Sequence, residues 1–442
     1  MCGSLSFLPP KGATMNRNDW DAYFSTLIGD TGTRVPGLAV LAYAGGQEVY
    51  RFAAGARRFE GSRAWPMTAD SRFRMASVSK MFTVFTLMQL VEAGKVSLDD
   101  DVSPYLGFVL RHPSYPEVPI TFRMLASHTS GLRDGQVYSI PPSVSVRAFF
   151  TPGSPYWEDG GHFAPAGQAP GVYFTYCNLN YGLLGTLIEA VTGERFDKYQ
   201  KKHILKELDC QADYVPGNLK TDEFARLGTI YLKRDKQGHW NEKGPWQGTI
   251  DDFGGIQPPR ESLSLQNPYA QEVCQAYSLS GYRPGTNATI FSPQGGLRLS
   301  LAELGHVLDM LLHQGRFRDR QVLAPSSLQT MFSPQWVYDG HNGDTCGQTL
   351  LTYGLGEFFV DGAGPARCCR TKHIDLWGHT GQAFGLLSGL FLQPGTDSGF
   401  AYVMNGEALA EDNDPRSAGT FSGNYIWEEQ VMDGLCQLID GL

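Results

Sequence analysis

The feature that most constrains the fold is the placement of strand signals at the two ends of the chain. Two apolar or alternating runs, Gly37 to Tyr43 and Gln47 to Ala53, flank Gly45-Gly46, a pattern that predicts a β-hairpin. Strand patterns return late, at Tyr353 to Val360, Phe384 to Leu392 and Phe400 to Met404. The region between reads as helices and polar loops. We therefore expect both ends to build one antiparallel sheet, with the middle inserted into it.

The predicted fold class is α+β, an antiparallel sheet flanked by helices plus an inserted all-α lobe. Residues 1–14 are assigned to an N-terminal extension, residues 15–105 and 295–442 to the sheet lobe, and residues 106–294 to the helical lobe. Inside the helical lobe, two long segments are rich in Pro and Gly, and we expect them to form walls of a cleft. These segments are Ile140 to Gly171 and Gly254 to Gly285.

Composition argues against two kinds of partner. The 442 residues carry a formal net charge of -9, whereas phosphate binding normally needs clustered Lys and Arg. The longest apolar run, around Met81 to Val91, is shorter than the roughly 20 residues of a membrane span. We therefore expect no nucleic-acid partner and no membrane span.

The N-terminal residues give an indication of the cellular compartment of the protein. Met1 to Thr14 has no sustained apolar core, so it does not resemble a signal peptide, and Met15 is an alternative start. We expect a cytoplasmic protein. The alternative is a periplasmic or secreted protein whose signal is absent from this chain.

Eight cysteines are too few in a chain of this length for a disulfide scaffold. Cys346, Cys368, Cys369 and His373 are near one another in sequence. A zinc site, a local disulfide and reduced loop thiols remain alternatives, although the spacing matches no common zinc pattern. We expect neither a metal nor a cofactor.

A hydroxyl and an amine stand one helical turn apart at the start of an apolar helix. Ser77 and Lys80 share a helix face, and the apolar residues after them predict a buried helix that ends near Gly94. Burial would lower the pKa of Lys80 toward that of a working base, and the helix N-terminus would favour an anion on Ser77. The alternative is that Ser77 only caps the helix and Lys80 is a surface charge.

Two later stretches place polar side chains at the boundaries of predicted elements. Tyr176 and Asn178 flank one position before a helical pattern that ends at Gly193, so both can point the same way. Near the end of the chain, His379 to Gln382 stand where a strand begins, and a glycine there lets a substrate backbone approach.

Taken together, these motifs resemble those of the penicillin-recognising serine hydrolases. That family comprises class C β-lactamases, D-Ala-D-Ala carboxypeptidases, family VIII esterases and related acyltransferases. Its Ser-x-x-Lys corresponds to Ser77 and Lys80, and its Tyr-x-Asn to Tyr176 and Asn178. The stretch His379-Thr380-Gly381 stands where β-lactamases usually have Lys-Thr-Gly. Supporting matches lie at Leu125 to Leu132 and Gln294 to Leu297, and the resemblance runs from about Trp20 to Leu438.

The resemblance implies a β-lactamase/transpeptidase-like fold and a role for each motif residue. Ser77 would attack an acyl carbon, while Lys80 and Tyr176 would share the duty of general base, with phenolate character at Tyr176 favoured by nearby cations. The backbone N–H groups of Ser77 and Gln382 would form an oxyanion hole. The substrate would be bound by Asn178, His379, Thr380 and Gly381.

The same resemblance implies a small-molecule ester, amide or D-peptide as substrate. Histidine at position 379 is a weaker, pH-dependent cation than lysine, which argues against strong binding of a β-lactam carboxylate. We expect an esterase-like serine hydrolase that acts through an acyl-Ser77 intermediate, with weak β-lactamase activity. The alternatives are a D-Ala-D-Ala carboxypeptidase or D-amino-acid peptidase, an acyltransferase and, from another class, a non-catalytic binding module. The sequence does not specify the oligomeric state.

Overall fold

The computed structural model describes residues 15–235, 237–264 and 276–441. The predicted extension at 1–14 and residues 265–275 of the second predicted cleft segment lie outside the described residues. The helices are α1 (Arg17–Thr26), α2 (Ser79–Glu92), α3 (Ser103–Leu106), α4 (Phe122–Ala126), α5 (Asn178–Thr192), α6 (Phe196–Gln200), α7 (Thr221–Phe224), α8 (Leu301–Leu312), α9 (Pro325–Met331) and α10 (Ile426–Asp440).

The strands are β1 (Gly37–Ala44), β2 (Gln47–Glu60), β3 (Arg63–Pro66), β4 (Arg72–Arg74), β5 (Ile230–Leu232), β6 (Gln247–Ile250), β7 (Ser262–Ser264), β8 (Ala276–Ser278), β9 (Arg298–Ser300), β10 (Arg316–Phe317), β11 (Arg320–Gln321), β12 (Trp336–Val337), β13 (Thr352–Tyr353), β14 (Phe358–Val360), β15 (Leu376–Ala383), β16 (Leu386–Gln393), β17 (Ser398–Met404) and β18 (Gly406–Glu407). None of the helices in these ranges combines the length and the apolar character needed to cross a bilayer.

A nine-stranded sheet joins the two ends of the chain, as predicted. Its order is β12-β13-β14-β15-β16-β17-β1-β2-β3, and the hairpin β1–β2 pairs with β17 in antiparallel register, with Leu38 opposite Met404. One strand prediction is wrong in detail. The run from Tyr353 to Val360 is two short strands, β13 and β14, because Gly356 takes a φ of +92° in the turn between them.

Helices cover both faces of this sheet, which explains why β1 is apolar at nearly every position. Leu38, Val40 and Ala42 pack on the side of α1 and α10, whereas Ala39 and Leu41 pack on the side of α2 and α8. Successive side chains of a strand point to opposite faces, so a strand buried on both sides has few polar positions. The predicted antiparallel sheet flanked by helices is therefore confirmed.

The middle of the chain differs from the all-α prediction. α5 packs against α2, α4 and α6 as expected, but residues 106–294 also carry short strands. β5 pairs with β6 and with β18, and β7 pairs with β8. The inserted region is thus mixed, and the proposed lobe boundaries stay a prediction.

A buried ion-pair group fixes the strand that leads into the Ser77 motif. Arg72 of β4 is 3% exposed and donates two hydrogen bonds to Glu303, at 2.6 and 2.8 Å, and a third to Glu223. Glu303 is also the partner of Ser300 in the predicted capping box at the start of α8, which the structure contains. These bonds join β4, which leads into the Ser77 turn, to α7 through Glu223 and to α8 through Glu303.

Candidate active site

The predicted nucleophile lies in a turn between β4 and the buried helix α2. Residues Ala76–Val78 form a 3₁₀ turn, and α2 starts directly after it, so Ser77 precedes the α-helix instead of opening it. The Ser77 side chain lines a cavity of about 620 Å³. Gly381 of β15 packs so closely on this turn that a Cβ there would collide with the Met75 carbonyl. A glycine is therefore required where β15 passes the nucleophile.

Lys80 is fully buried and directs its amine at Ser77. Its Nζ lies 3.0 Å from Ser77 Oγ, 2.9 Å from Asn178 Oδ1 and 3.3 Å from the Gln294 carbonyl. Burial lowers the pKa of Lys80 to about 7, against the opposing effect of the Asp134 carboxylate. A neutral amine has two N–H groups and one lone pair. The two carbonyl oxygens can accept the N–H groups, which leaves the lone pair for the proton of Ser77.

A carboxylate that the sequence motifs do not include holds Asn178 in place. Asp134 accepts hydrogen bonds of 2.9 Å from Asn178 Nδ2 and from the backbone N–H of Leu179. Since the amide nitrogen of Asn178 is occupied in this way, its oxygen faces Lys80. The sequence signal was weak: Asp134 follows the supporting match that ends at Leu132.

Tyr176 donates a hydrogen bond of 3.0 Å from its hydroxyl to Ser77 Oγ. Its ring packs on the His128 imidazole with 4.4 Å between centroids, and Lys80 Nζ lies 4.7 Å from the centroid of the Tyr176 ring. Burial raises the pKa of the Tyr176 phenol well above its ordinary value. The prediction of phenolate character at Tyr176 is therefore wrong for the resting site, where Lys80 is the better base.

His379 is buried and neutral, so its interpretation as a pH-dependent cation is wrong. Its Nδ1 contacts the Thr380 carbonyl, which can only accept, so we assign the ring proton to Nδ1. Nε2 then accepts from Tyr353, 3.1 Å away, and lies 3.5 Å from the Tyr176 hydroxyl. Burial, and next the charge of Lys80, lower the pKa of His379 to about 3. The neutral imidazole therefore places an acceptor nitrogen near the Tyr176 hydroxyl and does not offer a positive charge to a carboxylate.

The remaining motif residues lie inside strand β15 (Leu376–Ala383), not at the start of a strand as predicted, and follow this strand along the cavity. Thr380 and Gln382 line it, and Gly381 lies between them against the Ser77 turn. The Gln382 side chain donates a 2.7 Å hydrogen bond to Glu411. An oxyanion hole formed by the backbone N–H groups of Ser77 and Gln382 stays a prediction, as do the substrate contacts.

Sequence reasoning missed several charged residues of the cavity. Arg74 lines it and is held by the Gly295 carbonyl and Ser292 Oγ, at 2.9 and 2.8 Å. Arg74 stands three positions before Ser77, so its place near the site was available from the sequence. Asp412 and Glu428 also line the cavity, but no motif surrounds them.

The cysteines do not converge on one site. Cys346 lines the cavity, whereas Cys368 and Cys369 are buried in the core between the sheet and α10. Within residues 15–235, 237–264 and 276–441 the cysteines are free, and no three His, Cys, Asp or Glu side chains are grouped as metal ligands. The zinc alternative thus has no support in the geometry.

Comparison with known proteins identifies a family and several relatives. The family described as Beta-lactamase matches residues 21–422. The D-alanyl-D-alanine-carboxypeptidase/endopeptidase AmpH of Escherichia coli K12 is 30% identical over 189 residues, which are 42% of this chain and 47% of that protein. A D-aminopeptidase of Brucella anthropi is 32% identical over 228 residues, which are 49% of this chain and 41% of that protein. The chain thus spans less than half the length of these curated relatives.

A solved structure supports the fold. The octameric penicillin-binding protein homologue from Pyrococcus abyssi superposes with a TM-score of 0.61 and 21% identity, over 89% of this chain and 74% of that chain. At this identity the likeness concerns the fold alone.

Proposed function

Because this chain belongs to the Beta-lactamase family, we propose that it hydrolyses small esters and amides through a covalent acyl-Ser77 intermediate. The observation that carries this proposal is the position of Ser77 Oγ, which lies 3.0 Å from both Lys80 Nζ and Tyr176 Oη at the wall of an accessible cavity. A nucleophile within reach of a neutral amine and of a proton donor has what acyl transfer needs.

In the proposed acylation, neutral Lys80 removes the proton of Ser77 as Oγ attacks the acyl carbon. The Tyr176 hydroxyl then gives its proton to the leaving oxygen or nitrogen, and the bond to the leaving group breaks. Lys80 is left as an ammonium and Tyr176 as a phenolate, with the ammonium over the tyrosine ring. The phenolate expected from the family resemblance thus belongs to the acyl-enzyme stage.

In the proposed deacylation, the Tyr176 phenolate takes a proton from water as the water oxygen attacks the acyl carbon. The bond from the acyl carbon to Ser77 Oγ breaks, and Oγ recovers a proton from the Lys80 ammonium. The acid product leaves, and all three side chains return to their resting protonation states. No metal or cofactor takes part in this sequence.

D-peptides and D-amino-acid amides are included in the proposed range of substrates. Support comes from the names of the two aligned relatives, a carboxypeptidase/endopeptidase and a D-aminopeptidase. A non-catalytic binding module is less well supported, since such a protein would not need Ser77, Lys80 and Tyr176 in hydrogen-bond contact. An acyltransferase differs only in the acceptor that attacks the acyl-enzyme.

Steady-state hydrolysis of p-nitrophenyl acetate and p-nitrophenyl butyrate by wild type and Ser77→Ala tests the proposal. We expect turnover by the wild type and its loss in Ser77→Ala, with matching far-ultraviolet circular dichroism as the check on folding. A wild-type protein that is acylated once without turnover would support the binding module instead. Equal turnover by both proteins would refute Ser77 as the nucleophile.

A further inference from the structure

Arg74 brings a positive charge to the cavity that the proposed chemistry does not use. It stands three positions before Ser77 and lines the same cavity, as do the two residues that hold it, Ser292 and Gly295. Its Nε donates to the Gly295 carbonyl at 2.9 Å, and its Nη2 donates to Ser292 Oγ at 2.8 Å. The guanidinium is therefore held at the wall of the cavity.

Most N–H groups of this guanidinium have no acceptor in the protein. A guanidinium carries five N–H donors, and the described residues accept one from Nε and one from Nη2 of Arg74. Its Nη1 donates to no acceptor within residues 15–235, 237–264 and 276–441. Donors in a planar fork match the two oxygens of a carboxylate. Arg74 can therefore bind a carboxylate without losing the contacts that hold it.

The charge of Arg74 is not balanced by a carboxylate of its own. The acid whose charge acts on it is Asp251, and both Asp251 oxygens already accept hydrogen bonds from Arg298, at 2.9 and 3.1 Å. In the described parts of the chain, Arg74 forms no ion pair with an acidic side chain. Burial, and next the charge of Arg298, lower the pKa of Arg74 to about 10, so the group stays positive at neutral pH. An anionic ligand would stabilise this arrangement.

The leaving group is expected at the His379 end of β15. Tyr176 gives it a proton in the proposed acylation, so it must lie beside the Tyr176 hydroxyl, which is 3.5 Å from His379 Nε2. The nucleophile lies further along β15, where Gly381 packs on the Ser77 turn. The acyl group is bonded to the same carbon as the leaving group, and it then extends in the other direction along the strand.

Arg74 lies at that other end. Phe384 directly follows β15 and lines the cavity, and the guanidinium carbon of Arg74 lies 5.5 Å from the centroid of the Phe384 ring. The strand from His379 to Ala383 spans about 13 Å at roughly 3.3 Å per residue. An anion bound to Arg74 would therefore belong to the acyl group and not to the leaving group.

We propose that Arg74 is a specificity-determining residue that binds a carboxylate at the far end of the acyl group, so that the preferred substrates are half esters and half amides of dicarboxylic acids. This substrate class rests on the proposed function, but binding to Arg74 can be measured without turnover. Nη1 and Nη2 bind the two carboxylate oxygens, while Nε stays on the Gly295 carbonyl.

The test is calorimetric binding of methyl half esters to a Ser77→Ala background, which removes any dependence on catalysis. Methyl hydrogen succinate, glutarate and adipate carry the carboxylate at increasing distances from the ester carbon, and the dimethyl ester of each removes the charge. The variants are Arg74→Gln, which removes the positive charge, and Arg74→Lys, which keeps the charge without the fork. Arg316→Gln changes an exposed arginine outside the cavity and is the matched control.

We expect at least one half ester to bind about tenfold or more tightly than its dimethyl ester. Arg74→Gln should abolish this preference, Arg74→Lys should lower it several-fold, and Arg316→Gln should retain it. Equal binding of every half ester and its dimethyl ester would overturn the proposal. So would equal weakening of both ligands in Arg74→Gln, since that result indicates a purely structural role. If Arg74→Gln fails to fold, an unchanged preference in Arg74→Lys would overturn it.

The proposed function fails separately, through absence of p-nitrophenyl ester turnover by the wild type. If both proposals hold, turnover should show the same preference. With p-nitrophenyl hydrogen adipate and p-nitrophenyl methyl adipate, or their analogues at the chain length that binds best, the ratio of kcat/KM for the charged ester to that for the neutral ester should fall about tenfold in Arg74→Gln. The ratio should be unchanged in Arg316→Gln.

Discussion

The catalytic centre and a group of acids that includes the buried residues Glu407 and Glu428 respond to burial in opposite ways. At the catalytic centre, Lys80 meets three oxygen atoms at hydrogen-bond distance, and burial leaves it able to be neutral near pH 7. In the group of acids, Glu407 and Glu428 are buried with Glu411 nearby, and burial raises the pKa of both carboxyl groups. At the catalytic centre burial favours the neutral amine of Lys80, which can act as a base, whereas in the group of acids burial favours neutral carboxylic acids. The same physical effect thus prepares one group for chemistry and keeps the other uncharged.

The largest expected effect concerns the catalytic centre. Lys80→Met keeps most of the buried volume but removes the base, so we expect kcat/KM for p-nitrophenyl acetate to fall by about a thousandfold. In the wild type, kcat/KM should rise as the pH passes through about 7, because Lys80 acts as a base only after it loses its proton. Lys95→Met, at an exposed position, is the control. A flat profile across neutral pH would contradict the role of Lys80.

Removing the Asp134 carboxylate, which holds Asn178 in place, should lower kcat by less. Asp134→Asn places an amide against the Asn178 amide and the Leu179 N–H, so one donor loses its acceptor. We expect Asn178 to turn away from Lys80 and kcat to fall by about tenfold. Asp361→Asn, an exposed carboxylate outside the cavity, serves for comparison. Unchanged kcat in Asp134→Asn would mean that Asn178 does not need this carboxylate.

Glu428 should make the free energy of unfolding depend on pH. The folded-state pKa of Glu428, about 8, lies above its unfolded value, so its contribution is present below about pH 4.5 and is lost as the pH rises through about 8. Glu428→Gln cannot ionise, and we expect it to be more stable than wild type by about 1–2 kcal/mol at pH 9, with a smaller difference at pH 6. Urea unfolding at both pH values measures this. A pH-independent difference would show that burial of the Glu428 charge costs nothing.

The smallest expected effect is the loss of stability at acid pH that is due to His379. The folded-state pKa of His379, about 3, lies below its unfolded value, so its contribution is present above about pH 6.5 and declines as the pH falls toward 3. His379→Gln should therefore lose less stability between pH 7 and pH 5 than wild type, by a few tenths of a kcal/mol or more. His341→Gln, at an exposed site, should track the wild type. Parallel loss in all three proteins would argue that His379 is not buried.

The sequence predicted those parts of the molecule that depend on near neighbours in the chain. Turn glycines located the β1–β2 hairpin, and helical spacing brought Ser77 and Lys80 together. The neutral state of His379 was not predictable, because it depends on burial by β13, β14 and distant aromatic rings. Asp412 and Glu428 reach the cavity only through the fold, from a segment without any recognised motif. Local spacing therefore identified the chemistry, and tertiary packing set the charges around it.

The most direct test of the central claim is peptide-mapped mass spectrometry of protein quenched during turnover of p-nitrophenyl acetate. We predict one acetyl group on the peptide that contains Ser77, present in the wild type and absent from Ser77→Ala. Its rate of formation should increase as the pH passes through about 7. Turnover without an acetyl group on that peptide, or an acetyl-enzyme that forms equally fast in Lys80→Met, would contradict acyl transfer to Ser77 with Lys80 as the base.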